Sequence, residues 1–264
     1  MTLQSTSVTQ ITSEVVRNTQ PGSVFSLFLD FDGTLVPIAT DPTAPQLNHR
    51  TRDTLARVSR KTSCVTTIIS GRAIDDIYRR VRMQSLVYAG NHGLEIRGPD
   101  FHFVEPGAAA LRDRLEQLSA QLTVALQKIS GALVEYKSLT TSVHYRMVAD
   151  HDVSRVEAMV RASVARDGTS FRLNTGKKVL EIVPRSSWNK GTAARWINRH
   201  LGLDETHSIF IGDDVTDEDA FSVLTQAITV RVGDPGITHA RYHLPDPEAV
   251  NEFLDWMADF DGRS

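Results

Sequence analysis

The chain has 264 residues, of which 41% are hydrophobic, and its 32 acidic and 29 basic residues give a formal net charge of −3. This length accommodates one large domain or two smaller ones. The near balance of charge argues against a general attraction to nucleic acid or anionic lipid, and no run of about 18 apolar residues suggests a membrane-spanning helix.

Residues 1–22 are polar and rich in Ser and Thr. They lack the basic start and apolar stretch of a secretory signal, and we predict a loosely held leader. Cys64 is the single cysteine, which excludes an internal disulfide, and its apolar surroundings predict a buried core residue rather than a catalytic thiol. The lack of disulfides suits a reducing compartment, so we expect a cytoplasmic protein.

The first third of the chain alternates short apolar runs with amphipathic segments. The continuous apolar runs predict buried parallel strands at Val24–Leu29, Cys64–Ile69 and Leu86–Ala89. The spacing of apolar residues predicts helices over Gln46–Arg60 and Ile74–Val81. This order of strands and helices indicates a parallel sheet covered by helices on both faces.

The middle of the chain has a different pattern. A stripe of Leu and Ile from Leu111 to Ile129 predicts a long helix, and a second helix is predicted over Val153–Ala165. The alternating segments ALVEYKSL and TSVHYRMV predict one hairpin, and SFRLNTG and KKVLEIVP predict another strand pair. A helix followed by two strands therefore occurs twice, which indicates a small α+β domain at residues 107–185, between turn-rich boundaries.

The first pattern returns after Pro184. The fold class predicted for the chain is therefore α/β, with a Rossmann-like parallel-sheet core of residues 23–106 and 186–264 and an inserted α+β domain. The predicted elements of this last part are helices at Lys190–Leu201, Glu218–Leu224 and Val250–Met257 and strands at Ser208–Ile211 and Ile228–Val232.

Polar side chains follow the predicted core strands, at the sheet edge where ligands bind in doubly wound folds. Five acids crowd the segment GDDVTDED, which is unfavourable unless a cation lies there. The residues at this edge are, strand by strand, Asp30, Asp32, Gly33 and Thr34; Ser70 and Arg72; Asn91 and His92; and Asp213, Asp214 and Asp217.

The chemistry of these residues indicates a phosphate site. The acids offer only oxygen ligands, without a Cys or His cluster, which favours Mg²⁺. Lys190 begins a predicted helix, and a lysine at a helix N-terminus favours anion binding. Asp30 is then a candidate nucleophile that forms an aspartyl-phosphate, with Mg²⁺ reducing the repulsion between carboxylate and phosphate. Asp32 is a candidate for proton transfer to the leaving oxygen and from the attacking water.

The segments DFDGTL, SGR, NKG and GDDVTDEDAF, in this order, resemble the four motifs of the haloacid dehalogenase superfamily of phosphatases. The resemblance implies that Asp30 is the nucleophile, that Asp32 is the acid and base, and that Ser70 and Lys190 bind phosphate. Whether Asp214 or Asp217 contacts the metal directly stays open. The metal ligands expected from the resemblance and the acid cluster are Asp30, Asp32, Asp213, Asp214 and Asp217.

The segments GNHGLEIR, VEYKSLTTSVHYR and GKKVLEIVP extend the resemblance to the trehalose-6-phosphate phosphatase family over most of the chain. In that family the inserted domain is a cap whose charged residues bind the disaccharide. Alternation alone is equally well explained by the wet face of an antiparallel sheet. The cap residues implied by the resemblance are Glu135, Lys137, Arg146, Lys177 (or the adjacent Lys178) and Glu181.

The core is expected to add contacts of its own. Asn91 and His92 are expected to reach the substrate, and Gly33 and Thr34 offer a backbone N–H and a hydroxyl to the phosphate. Arg72 is a further candidate for substrate binding, although a salt bridge to Asp75 or Asp76 explains it equally well.

The resemblance implies a Mg²⁺-dependent phosphatase that acts on trehalose 6-phosphate. We expect a monomer with no nucleic-acid or membrane partner. One alternative is a phosphatase of the same superfamily that acts on sucrose phosphate or a glycosyl-phosphoglycerate, with the same chemistry and a different cap. A less favoured alternative is a non-catalytic sensor of a sugar phosphate, which would have no need of Asp32.

Overall fold

The computed structural model describes residues 7–39, 44–176 and 178–261. The chain divides into two compact units: unit 1 comprises Met1–Phe103 and Trp188–Ser264, and unit 2 comprises Val104–Ser187. None of the helices in the described ranges combines the length and hydropathy that a bilayer crossing requires.

The secondary structure of the described residues follows the alternation expected from the sequence. The strands are β1 (Phe25–Leu29), β2 (Cys64–Ile69), β3 (Val87–Gly90), β4 (Glu95–Arg97), β5 (His102–Val104), β6 (Leu133–Tyr136), β7 (Thr141–His144), β8 (Phe171–Gly176), β9 (Val179–Pro184), β10 (Ser208–Gly212), β11 (Ile228–Val232) and β12 (Tyr242–Leu244). The helices are α1 (Val8–Asn18), α2 (His49–Val58), α3 (Ile74–Val81), α4 (Pro106–Ala110), α5 (Arg112–Leu126), α6 (Asp150–Arg166), α7 (Lys190–Leu201), α8 (Val215–Val223) and α9 (Pro247–Asp259).

Unit 1 is built on an eight-stranded sheet in the order β12-β11-β10-β1-β2-β3-β4-β5. The strands from β12 to β3 pair in parallel, and β4 is antiparallel to β3. All residues of β1 are buried, with Leu27 and Leu29 in one core and Phe28 in the other. The first core is shared with α1, α2, α3 and α9, and the second with α7 and α8, so helices cover both faces. The predicted α/β fold class is confirmed.

Unit 2 is an antiparallel sheet in the order β6-β7-β9-β8, with α5 and α6 packed on one face. Val143, Leu180 and Ile182 are fully buried on that face, because alternate residues of a strand point to the same side. Both hairpins predicted from the sequence are confirmed. Tyr136, on the edge strand β6, is exposed.

The expectation of a loosely held leader is wrong for residues 8–18. They form α1, which begins at a capping box between Ser7 and Gln10. Ile11 and Val15, one helical turn apart, are fully buried in the core of unit 1. This short apolar stripe did not lead to a helix prediction because Ser and Thr are abundant around it.

The remaining differences concern short elements. Helix α2 begins at His49 because the Asn48 side chain accepts a hydrogen bond from the Thr51 N–H and so caps it. Strands β4, β5 and β12 were not predicted, and each has only three residues, too few to show a period of two.

Replacing Ile11 by Ala tests whether α1 is part of the core. We expect Ile11→Ala to lower the free energy of unfolding by about 2–5 kcal/mol, because a fully buried side chain leaves a cavity. Val16→Ala, at a position 37% exposed on the same helix, is the control and is expected to change it by about 0.5 kcal/mol or less. Urea unfolding followed by circular dichroism measures both, and equal effects would show that α1 is not docked.

Candidate active site

The polar residues predicted to share one sheet edge do follow neighbouring strands. Strands β10, β1, β2 and β3 are adjacent and parallel, so their carboxyl ends lie at the same edge. Asp213, Asp30, Ser70 and Asn91 directly follow these four strands, in that order. The topology therefore assembles one site from four distant segments of the chain.

A buried lysine joins two of the acids. The Lys190 ammonium group donates to Asp30 Oδ1 at 2.8 Å and to Asp217 Oδ1 at 2.7 Å. The three residues are 2%, 4% and 0% exposed, respectively. Burial by itself would lower the pKa of Lys190, but the charges of Asp217 and Asp30 outweigh burial and hold the pKa well above its usual value. Lys190 is therefore a permanent cation at this site.

The position of Lys190 is fixed by the helix that it begins. The side chain of Asn189 accepts a hydrogen bond from the Thr192 N–H at 2.9 Å, and the Asn189 N–H donates to Thr192 Oγ1 at 2.7 Å. This reciprocal cap fixes the first turn of α7. Lys190 thus reaches the acids from a rigid helix end rather than from a loop.

Asp30, Asp213 and Asp217 together form a candidate metal site. One carboxylate oxygen of each lies within 4.8 Å of the others. Burial, and then repulsion from Asp217, raises the pKa of Asp213 to about 7. Burial also raises the pKa of Asp30 well above its usual value, despite the opposing charge of Lys190. Two buried carboxylates and one partly buried carboxylate beside one ammonium group fit a hard divalent cation such as Mg²⁺, which takes oxygen ligands.

The predicted ligands Asp32 and Asp214 do not lie in this three-acid group. Asp214 is exposed and caps α8, and its backbone N–H donates to Asp217 Oδ2 at 3.0 Å. Of the two acids left open by the sequence, it is Asp217 that the structure places beside Asp30 and Asp213.

Two glycines allow the acids to approach this closely. A Cβ atom on Gly33 would lie 2.0 Å from Asp213 Oδ2, and one on Gly212 would lie 2.3 Å from Asp217 Cγ. Gly33 also has φ +85°, a conformation that favours glycine. The Thr34 hydroxyl lies 3.3 Å from Asp213 Oδ1 and donates to it. Gly33 and Thr34 therefore shape the acid cluster itself.

Asp32 is held by Arg72. The guanidinium group donates to Asp32 Oδ2 at 2.6 Å and to Asp32 Oδ1 at 2.7 Å, a bidentate pair. A third donor of Arg72 reaches Asp76 Oδ2 at 3.0 Å, and Arg80 donates to the same oxygen at 2.8 Å. Of the partners left open by the sequence, Arg72 therefore pairs with Asp76, whereas Asp75 pairs with Arg97.

Neither the ion pair of Arg80 nor the contact between Arg72 and Asp32 was predicted from the sequence. The four-residue spacings from Arg72 to Asp76 and from Asp76 to Arg80 were a visible signal for the ion pairs along α3. The pair between Arg72 and Asp32 has no local signal, because the two residues follow different strands.

Backbone hydrogen bonds join the segment of Ser70 and Arg72 to the segment of Asn91 and His92. The His92 N–H donates to the Ser70 carbonyl at 2.9 Å, and the Asn91 N–H donates to the Arg72 carbonyl at 2.7 Å. Ser70 and Asn91 are buried, and His92 is partly exposed. These bonds fix the ends of β2 and β3 relative to each other.

The polar sheet face of unit 2 carries four of the predicted cap residues on or beside its strands. The strand register aligns Glu135, Ser142, Glu181 and Asn174 across β6, β7, β9 and β8. Lys137 follows β6, is 8% exposed, and donates from Nζ to Glu181 Oε1 at 2.6 Å.

The remaining charged residues of this face are less enclosed. His144 Nε2 lies 2.8 Å from Glu135 Oε2, and Arg146 is exposed just beyond β7. Lys177 lies outside the described residues, while the adjacent Lys178 has φ 65° in the turn before β9.

The sequence also matches characterised proteins. The model of the trehalose-phosphatase family matches residues 28–243. The chain belongs to the trehalose-phosphatase family. It is 37% identical over 261 residues to trehalose 6-phosphate phosphatase RA3 of Zea mays, and this alignment covers 91% of this chain and 72% of the maize protein. It is 38% identical over 242 residues to the trehalose-phosphate phosphatase of Mycobacterium ulcerans, and this alignment covers 88% of this chain and 61% of that protein.

The fold is also that of a solved relative. The C-terminal domain of C. albicans trehalose-6-phosphate phosphatase superposes with a TM-score of 0.76, covering 97% of this chain and 98% of that domain at 22% identity. This likeness supports the fold. The Mycobacterium relative is longer, since the chain spans 61% of its length.

The acid cluster predicts an unusual dependence of stability on pH without metal. Because the folded pKa of Asp213 lies above its usual 3.8, the folded state holds a proton that the unfolded state has lost, and stability falls as pH rises from about 4 to about 7. Asp213→Asn removes this penalty. In EDTA we expect the variant to have a Tm a few degrees higher at pH 7.5, and a smaller increase at pH 5. Each kcal/mol in the free energy of unfolding corresponds to roughly 2–4 °C for a chain of this size.

Differential scanning fluorimetry checks this expectation, with Asp214→Asn as the matched control. Asparagine also caps helices well, so the control changes an exposed acid outside the cluster and keeps the cap. Added Mg²⁺ is expected to stabilise the unmodified protein more than the Asp213→Asn variant. If the Tm difference between the Asp213→Asn variant and the unmodified protein stays constant from pH 5 to pH 7.5, this contradicts a raised pKa of Asp213.

Proposed function

We propose that this chain is a Mg²⁺-dependent phosphomonoester hydrolase that converts trehalose 6-phosphate and water into trehalose and phosphate. The observation that carries the proposal is the buried contact of Lys190 with Asp30 and Asp217, beside Asp213. A second acid, Asp32, lies two residues after the nucleophile position. Membership of the trehalose-phosphatase family supports the choice of substrate.

Asp30, Asp213 and Asp217 would hold the cation, which when bound supplies positive charge that offsets the repulsion between carboxylate and phosphate. Asp30 is held by Lys190 and attacks the phosphorus atom through a carboxylate oxygen. The bond between phosphorus and the sugar oxygen breaks, and an aspartyl-phosphate forms. The Lys190 ammonium group and the Ser70 hydroxyl bind the phosphoryl oxygens.

Asp32 transfers the protons of both steps. In the first step its carboxylic acid form gives a proton to the sugar oxygen as trehalose leaves. In the second step its carboxylate takes a proton from the water that attacks the aspartyl-phosphate, and phosphate and free Asp30 are regenerated. The bidentate contact with Arg72 fixes the position of the Asp32 carboxyl group.

The polar face of unit 2 is proposed to bind the disaccharide. Glu135 and Glu181 can accept hydrogen bonds from sugar hydroxyls, and Lys137 and Arg146 can donate them. The Lys137–Glu181 pair is preorganised, which limits the entropy lost when the sugar binds. Lys177 belongs to the same proposed set. We also propose that the protein acts as a monomer in the cytoplasm, where a single buried thiol stays reduced.

Phosphate release from a panel of sugar phosphates tests the proposal. We expect Mg²⁺-dependent release of phosphate from trehalose 6-phosphate and much slower release from sucrose 6-phosphate and glucose 6-phosphate. We expect no release in EDTA. Preference for another sugar phosphate would be consistent with the proposed chemistry but would exclude trehalose 6-phosphate as the main substrate. Binding of the sugar phosphate without phosphate release would indicate a sensor.

Asp30→Asn tests the nucleophile. Asparagine has the shape of aspartate but cannot form the acyl-phosphate, so we expect kcat to fall by roughly a thousandfold or more. Rapid acid quench and mass spectrometry are expected to find a phosphoryl group on Asp30 in the unmodified enzyme. An unchanged circular dichroism spectrum shows that the fold is kept, and unchanged turnover would exclude the mechanism.

Glu135→Ala tests the sugar contact. We expect kcat/KM for trehalose 6-phosphate to fall roughly tenfold to a hundredfold, the effect of losing a hydrogen bond to a charged group, with little change for a small aryl phosphate. Glu116→Ala is the control, because Glu116 is also an exposed acid of unit 2 but lies on α5. Equal losses on both substrates would argue against a role of Glu135 in sugar binding.

A further inference from the structure

The chain leaves and re-enters unit 1 at one aromatic stack. Phe103 is the last residue of unit 1 before unit 2, and Trp188 is the first residue after it. Their rings stack with centroids 5.2 Å apart and planes at 29°. Phe103 also stacks on Trp196 of α7, with centroids 4.3 Å apart. Both connections to unit 2 therefore start from side chains that are packed together on the core.

Trp188 also reaches the edge of the candidate active site. Its indole N–H donates to the Gly93 carbonyl at 2.7 Å. Gly93 ends a tight turn in which Asn91, His92 and Gly93 have φ values of 49°, 59° and 89°. The first two of these residues are not glycine, and the left-handed conformation is strained for them. Such a turn persists only where its surroundings hold it.

The surroundings hold this turn on two sides. On one side its backbone N–H groups bond to the Ser70 and Arg72 carbonyls. On the other side α7 packs directly against Gly93, where an added Cβ atom would lie 2.3 Å from the Cβ of Ala193. On this second side the indole N–H of Trp188 also donates to the Gly93 carbonyl, and Trp188 lies two residues before Lys190. Lys190 itself is held independently, by Asp30, Asp217 and the cap of α7.

We propose that Trp188 is a positioning residue that fixes the turn of Asn91 and His92 to the start of α7 and to both connections of unit 2. The proposal rests on the proposed function and on the expectation from the sequence that Asn91 and His92 reach the substrate. Its consequence is a division of roles. The ring of Trp188 packs with Phe103, and its N–H determines how firmly Asn91 and His92 are presented to the substrate.

Trp188→Phe removes the N–H and keeps an aromatic ring. We expect amide hydrogen exchange of Asn91 and His92 to become about tenfold faster, the change that corresponds to one hydrogen bond. We expect KM for trehalose 6-phosphate to rise by a similar factor while kcat changes less than about threefold, since Lys190 keeps its partners. Hydrolysis of a small aryl phosphate, which has no sugar to contact the turn, is expected to stay within about twofold.

Trp196→Phe is the matched control, since Trp196 shares the stack on Phe103 and its other aromatic partners among the described residues are Phe101 and His200. We expect it to leave exchange at Asn91 and His92 and the KM unchanged. Equal effects of the two variants would overturn the proposal, because packing alone would then explain them. Unchanged exchange and KM in Trp188→Phe would overturn it as well.

A second variant separates the hydrogen bond from the ring if Trp188→Phe unfolds. Site-specific incorporation of 3-benzothienylalanine at position 188 keeps the fused ring and replaces its N–H by sulfur. Faster exchange at Asn91 and His92 supports the proposal, and exchange like that of the unmodified protein refutes it. Because exchange is measured without substrate, this result is independent of the proposed substrate, which the sugar phosphate panel tests separately.

Discussion

The structure of the site depends on one buried ammonium group between two buried carboxylates. Lys190 binds Asp30 and Asp217, but Asp213 adds a third carboxylate with no further buried lysine in the described part of the site. Leaving negative charge in excess in a desolvated site is unfavourable, and the raised pKa of Asp213 and Asp30 expresses this. A parallel sheet, a capped helix and two glycines place these side chains next to one another.

The same arrangement explains why the neighbouring acid behaves differently. Asp32 lies two residues after Asp30, beyond the end of β1, where its carboxylate meets Arg72 instead of Lys190. Asp76 and Arg80 continue this second set of ion pairs along α3. The two acids of the first motif are therefore divided between a lysine that holds the nucleophile and an arginine that holds the proton carrier. Such a difference in environment is what allows two like carboxylates to take different roles.

Much of this could be predicted from the sequence. The apolar runs before Asp30 and Ser70 indicated buried strands, and the density of acids near Asp213 indicated a cation site, because both signals are local. What escaped prediction depends on contacts between distant segments. The pairing of Arg72 with Asp32 and the bond from Trp188 to Gly93 arise only when separate strands are brought together. The docking of α1 was missed because its two buried apolar residues are surrounded by polar ones.

Isothermal titration calorimetry of Mg²⁺ into the metal-free protein tests the central claim most directly. At pH 6.5, in two buffers of different ionisation enthalpy, we expect about one cation per chain with release of protons, since metal ligands must be deprotonated and the pKa of Asp213 is about 7. We expect Asp213→Asn to abolish the proton release and weaken binding. Absence of binding at millimolar Mg²⁺, or binding without proton release that Asp213→Asn leaves unchanged, would contradict the account.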